Sequence, residues 1–144
     1  MKEQTQIEHP DYYQSNGVEV WDFISENDLN FFLGNVVKYI VRAGKKSGSS
    51  LRDDLQKAIN YLDYEIEHAD SDMYSFDPSL SSDNFQSLEE LISAFNLSPF
   101  LGIALRLVIY AMLSNDEEGY VGTLRNVQVF LCAEIDINQA KTPV

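Results

Sequence analysis

Apolar residues recur along the chain at three- and four-residue steps, the spacing of helices that each bury one face. Val18, Val20, Trp21, Phe23 and Ile24 predict a short amphipathic helix that ends near Asn27-Asp28. Asp28 or Asn30 is then placed to cap a second helix, about residues 29 to 43, whose buried face is Phe32, Leu33, Val36, Val37, Ile40 and Val41. Gly44 follows as the left-handed terminating residue. A third helix, about residues 51 to 69, carries Leu51, Leu55, Ala58, Leu62, Ile66 and Ala69 as a seam for another helix.

The periodicity lapses over "DSDMYSFDPSLSSDN", a stretch of Asp, Ser and Pro that reads as a linker. Beyond it the earlier pattern returns. At an offset of 68, Ile24 meets Ile92, Leu29 meets Leu97, Phe32 meets Phe100, Leu33-Gly34 meets Leu101-Gly102, Lys38 meets Arg106 and Ala43 meets Ala111. One residue later in offset, Leu55 meets Leu124, Tyr61 meets Phe130, Leu62 meets Leu131, and Glu65-Ile66 meets Glu134-Ile135. A three-helix unit of about 50 residues buries too little apolar surface to stand alone, so two units are expected to pack together. The expected fold is all-α: two pseudo-repeated three-helix units, no sheet, with residues 1–69 as the first unit, 70–86 as linker and 87–144 as a degenerate second unit. The matched positions belong to the core. The polar ones diverge: Asn35 becomes Ile103, Arg42 becomes Tyr110, Lys45 becomes Leu113, Asp54 becomes Thr123 and Lys57 becomes Asn126.

Charge sharpens this division. The 144 residues carry a net charge of −13, yet six of the ten basic residues lie in "KYIVRAGKKSGSSLRDDLQK", residues 38 to 57. That segment is +4 and the remainder −17. An acidic remainder repels long nucleic acids and anionic membranes, whose binding draws on many Lys and Arg contacts, so an anionic ligand is expected to be small. The longest apolar run, Phe100 to Leu113, is too short to span a bilayer and contains Arg106. "MKEQTQIEHP" lacks the apolar core of a signal peptide, and Cys132 is the only cysteine, so a reducing cytoplasm is the expected location.

Asn35, Lys38 and Arg42 share one face of the second helix, and Asp54, Lys57, Tyr61 and Glu65 share one face of the third. An antiparallel hairpin would bring both stripes and the loop lysines Lys45 and Lys46 to one cleft. Cations suit phosphate oxygens, Tyr61 suits a base, and Asn35 or Asp54 suits base or sugar edges. The competing reading is a solvated face with intrahelical ion pairs. "AGKKS" is not a phosphate-binding loop, because Tyr39 occupies its first glycine position and the preceding segment reads as helix. No metal site is expected: the histidines are His9 and His68, there is no Cys pair, and Glu89-Glu90 is followed by Ser93 where an E-E-x-x-E helix would place its third Glu.

The same residues carry a resemblance. "HPDYYQSNGVEVWDFI" and "FFLGNVVKYIVRAGKKSGSSLRDDLQKAINYLDYEI" resemble the SaV-like phage proteins, a family with a domain of unknown function that includes the early nucleotide kinase of T-odd podophages. The matching pattern, over about residues 9 to 67, is H-x-x-Y, a Glu and an Asp on the first helix, G-N-x-x-K-Y-x-x-R-A-G-K-K and D-L-x-K-A-x-x-Y-L. The resemblance implies a phage origin, a helical protein that forms homo-oligomers, a nucleotide ligand, and a site role for His9. The linker and second copy depart from the family's single-copy pattern. The candidate ligand-binding residues are therefore His9, Tyr12, Tyr13, Asn35, Lys38, Arg42, Lys45, Lys46, Asp54, Lys57 and Tyr61, and no catalytic residue is assigned. The expected function is capture of a nucleotide or nucleotide-derived signal in the cytoplasm of an infected bacterial host, to blunt a host defence. The first alternative is a nucleoside monophosphate kinase, which alone would require Mg²⁺; the second is an acidic protein that occupies a host partner.

Overall fold

The computed structural model describes residues 14–15, 18–45, 48, 50–69 and 82–141. The architecture is all-α, with six helices among the described residues: α1 (Val20–Glu26), α2 (Phe31–Arg42), α3 (Leu51–Glu67), α4 (Ser82–Ala94), α5 (Pro99–Ala111) and α6 (Glu117–Lys141). Ahead of α1, a minimal antiparallel ladder pairs β1 (Gln14–Ser15) with β2 (Val18–Glu19). Its sequence signal is the Asn-Gly dipeptide between the strands, the composition that favours two-residue hairpins.

Helix ends follow local chemistry. Asn30 caps α2, its Oδ1 accepting from the Leu33 amide at 2.9 Å. Asp28 instead adopts the left-handed conformation (φ 53°) that turns the chain out of α1. Gly44 takes φ 75° after α2, and a Cβ there would also crowd the Leu51 side chain at 3.3 Å, so this position is closed to larger residues on two grounds. Ser50 caps α3 through the Asp53 amide at 3.0 Å, and Ser98 caps α5 with Pro99 in its first turn. Helix α4 begins at Ser82, inside the stretch assigned to the linker through residue 86. Residues 70–81 lie outside the described residues.

Two antiparallel hairpins, α2 with α3 and α5 with α6, are joined along a seam between α3 and α6; α1 lies against α2 and α4. One core runs through both hairpins. Val36, Val37, Ile40, Leu55 and Leu62 from the first are fully buried with Leu105, Leu124 and Leu131 from the second and Leu88 and Leu91 of α4. Each such side chain contributes about 1.5–3 kcal/mol by leaving water. The seam also has polar contacts: the Tyr120 hydroxyl donates to Glu65 Oε1 at 2.6 Å, and Gln128 donates to Asp63 at 2.7 Å.

Local geometry recurs between the halves at the offset seen in the sequence. Asn96 has φ 52° where Asp28 has φ 53°. The Leu29 amide donates to the Ile24 carbonyl at 3.2 Å, and the Leu97 amide donates to that of Ile92 at the same distance. A Cβ on Gly34 would meet Ile24 at 3.1 Å, and one on Gly102 would meet Ile92 at 3.5 Å, so the same close crossing occurs twice. In each half the residue capping the middle helix also bonds a buried Glu on the last: Asn30 to Glu65 at 3.0 Å, and Ser98 to Glu134 at 2.7 Å.

Candidate functional site

Tyr39 projects from α2 into a group of cations. The Lys38 ammonium lies 4.6 Å from its ring centroid, the Arg42 guanidinium carbon 4.5 Å and the Lys57 ammonium 5.5 Å. Cations over an aromatic face are attracted by its quadrupole, and here three positive groups converge on one ring. Tyr61 of α3 lies nearly parallel to Tyr39, with centroids 5.9 Å apart. The hairpin thus brings Lys38, Arg42, Lys57 and Tyr61 together from two helices.

Beneath this surface lies a buried ionic node. Arg42 is 5% exposed and Asp54 is 0% exposed. Arg42 donates through Nε and Nη2 to Asp54 Oδ1 at 3.3 and 3.2 Å, while Asp54 Oδ2 accepts from the Gly44 amide at 3.2 Å. The pair ties the end of α2, its left-handed cap and the first turn of α3 into one unit. Removing either partner would take the facing opposite charge from a buried ion, at a cost of about 3–5 kcal/mol. Arg42 and Asp54 therefore hold the site from below, whereas Lys38 and Lys57 reach its surface.

Lys45 has a different setting from the one expected of a loop cation in the cleft. Its ammonium donates to the Val41 carbonyl at 2.8 Å and to the Phe95 carbonyl at 2.9 Å, linking the end of α2 to the end of α4. Although the residue as a whole is exposed, partial burial pushes the ammonium below the usual lysine range. Asn35 Nδ2 donates to the Phe31 carbonyl one turn back at 2.8 Å. His9, Tyr12, Tyr13 and Lys46 lie outside the described residues.

The aromatic extent of the site exceeds its sequence outline. From Tyr61 the rings continue through Phe31 (6.1 Å) and Phe32 (6.4 Å); Phe32 stacks on Tyr64 at 4.3 Å, and Tyr64 stacks on His68 at 3.8 Å. Phe31 is 68% exposed and Tyr64 is 44% exposed. A signal was present: Lys57, Tyr61, Tyr64 and His68 follow steps of four, three and four on α3. Tyr39 was hidden between Lys38 and Ile40, which belong to different faces.

Two further carboxylates near this face are engaged by protein groups. Glu65 is buried and accepts from Tyr120 and Asn30, and Glu19 caps α1 through the Trp21 amide at 3.1 Å. Among the described residues, no three His, Cys, Asp or Glu side chains converge to hold a metal ion. In the second half, Thr123 and Asn126 replace Asp54 and Lys57 and line an open depression of about 640 Å³ with Asp116 and Glu118. Among the described residues, no helix is long and apolar enough to cross a membrane.

Residues 7–63 match the model of a family described as a protein of unknown function, DUF3310. The match takes in α1, α2 and α3 as far as Asp63, and with them Tyr39, the three cations and Tyr61. It ends before α4. No curated protein and no solved structure matches the chain.

Proposed function

We propose that the α2–α3 face binds a nucleotide or a nucleotide-derived anion and holds it without turning it over. The observation that carries this reading is the convergence of Lys38, Arg42 and Lys57 on Tyr39, with Tyr61 stacked beside it. Lys38 and Lys57 supply charge for phosphate, and the tyrosines supply a surface for a base. The resemblance of residues 9 to 67 to the SaV-like phage proteins agrees with a nucleotide ligand and extends the proposal to a phage protein that withdraws a signalling nucleotide from a host defence. Capture is favoured over phosphoryl transfer because Asp54 and Glu65, two of the carboxylates a kinase would use for Mg²⁺ or its acceptor, are buried in hydrogen bonds to the protein.

Native mass spectrometry of the purified protein, followed by calorimetry with nucleoside mono- and triphosphates, tests the proposal. Stoichiometric retention of an unchanged nucleotide is expected, with a loss of about tenfold or more in affinity for Lys57→Ala. Catalytic formation of nucleoside diphosphate from ATP, Mg²⁺ and a monophosphate would overturn capture. Failure to bind any nucleotide would overturn the site.

A further inference from the structure

The rings on the α2–α3 face form two groups. One is the Tyr39–Tyr61 pair, 18° from parallel, beside Lys38, Arg42 and Lys57. The other is the stack Phe32–Tyr64–His68, with interplanar angles of 19° and 15°, flanked by Phe31, whose ring meets Phe32 edge-on at 5.2 Å. Phe31 and His68 are both exposed. The α3 stripe from Lys57 to His68 covers eleven residues of helix rise, about 16 Å. A single base on the first group leaves the second uncovered.

Resting on the nucleotide reading above, we infer that the ligand of this face carries two bases: a dinucleotide with a phosphate at Lys38 and Lys57, one base at Tyr39–Tyr61 and the other on the Phe32–Tyr64–His68 stack that Phe31 flanks. Three observations point this way together. Among the described residues, the cations that meet the aromatic row do so at its Tyr39 end, as a ligand with few phosphates requires. The second group is built of rings stacked on one another, a pre-ordered platform that stacks a base with little loss of side-chain freedom. The chain's net charge of −13 opposes longer oligonucleotides, each added phosphate bringing more repulsion. A second copy of the chain is the competing occupant, but it would bring its own acidic surface without supplying a phosphate for the lysines.

The test is calorimetry on the full chain with inorganic phosphate, AMP and the linear 5′-phosphorylated dinucleotide of adenosine, adenine being an adequate probe because base–aromatic stacking tolerates any base. The dinucleotide is expected to bind about tenfold or more tightly than AMP. Phe31→Ala and His68→Ala should each lower dinucleotide affinity several-fold and AMP affinity by less, with Phe31→Tyr restoring dinucleotide binding; both sites are exposed, and circular dichroism verifies folding. Lys57→Ala should weaken both ligands. Equal affinity for AMP and dinucleotide would overturn the two-base inference and leave the mononucleotide site standing, whereas binding of neither would overturn both. Dimers that dissociate on Phe31→Ala, with no dinucleotide binding, would show that a second copy covers the row and would also overturn the inference.

Discussion

Arg42 and Arg106 each hold a carboxylate, one beneath the surface of the first half and the other on the surface of the second. Arg42 and Asp54 are almost wholly buried and share their bonds with the Gly44 backbone. Arg106 and Glu89 meet in a bidentate pair at 2.7 Å, with side chains about half exposed. Local features recur around both: the left-handed residues Asp28 and Asn96, and the buried Glu65 and Glu134 bonded by helix-capping residues. What differs is what the frame carries. In the first half an ionic node sits under a cation-ringed tyrosine, while at the matched positions in the second, Tyr110, Thr123 and Asn126 leave no such node. Packing and chemistry are thus separable, and the second half serves as an internal control for the first.

The sharpest way to break the comparison is to remove one carboxylate from each pair. Asp54→Ala should destabilise the fold by about 3–5 kcal/mol in urea denaturation, because the buried Arg42 guanidinium loses the carboxylate that faces it. Glu89→Ala should cost about 0–1 kcal/mol. Similar losses would mean that the Arg42 node is solvated in solution. Next in size are the buried glutamates. Glu65→Ala should cost about 1–3 kcal/mol by stripping Tyr120 and Asn30 of their acceptor, and it should exceed Glu134→Ala, whose partners Ser98 and Asn138 lie within one half. Loss of a single cooperative transition in the Glu65 variant alone would locate the coupling of the halves at this bond.

Ligand binding gives the third contrast. Lys57→Ala should lower nucleotide affinity about tenfold or more, and Arg106→Ala should leave it nearly unchanged although the net charge changes equally. Equal losses would show that the patch acts only through net charge.

The smallest effects concern pH. The hydrogen bond to Arg106 holds Glu89 below the usual carboxylate range, so the pair's contribution is present above that range and is lost as pH falls through the depressed value. Lys45 has the same sign in an alkaline window: burial lowers its folded-state value, the unfolded chain binds the extra proton, and stability should rise as pH climbs through that lowered value towards the ordinary lysine range. Glu89→Gln should flatten the acidic slope and Lys45→Met the alkaline one, read as the change in Tm with pH.

The helices were legible because their apolar positions keep strict three- and four-residue steps; Leu33, Val36, Val37, Ile40 and Val41 are buried as that pattern requires. The cap of α2 was legible only to a choice between Asp28 and Asn30, since both side chains suit the role and the decision rests on backbone conformation. The site was legible in outline because cations on facing helix stripes must meet when the hairpin closes. Its depth was not: Arg42 and Lys38 have the same spacing signal, and only the approach of Asp54 from α3 makes one a buried strut and the other a surface cation. Lys45 was read as facing the cleft because its partner, the Phe95 carbonyl, is 50 residues away and belongs to backbone that carries no side-chain signal.

The bond between Glu65 and Tyr120 joins residues 55 apart, and that of Gln128 to the Ile59 carbonyl joins residues 69 apart. Each hairpin, by comparison, closes over a short connection. Loop-closure entropy therefore favours early zippering of the two hairpins and late docking along α3 and α6. If that docking follows the rate-limiting barrier, weakening the seam should hasten unfolding while leaving the refolding rate almost untouched.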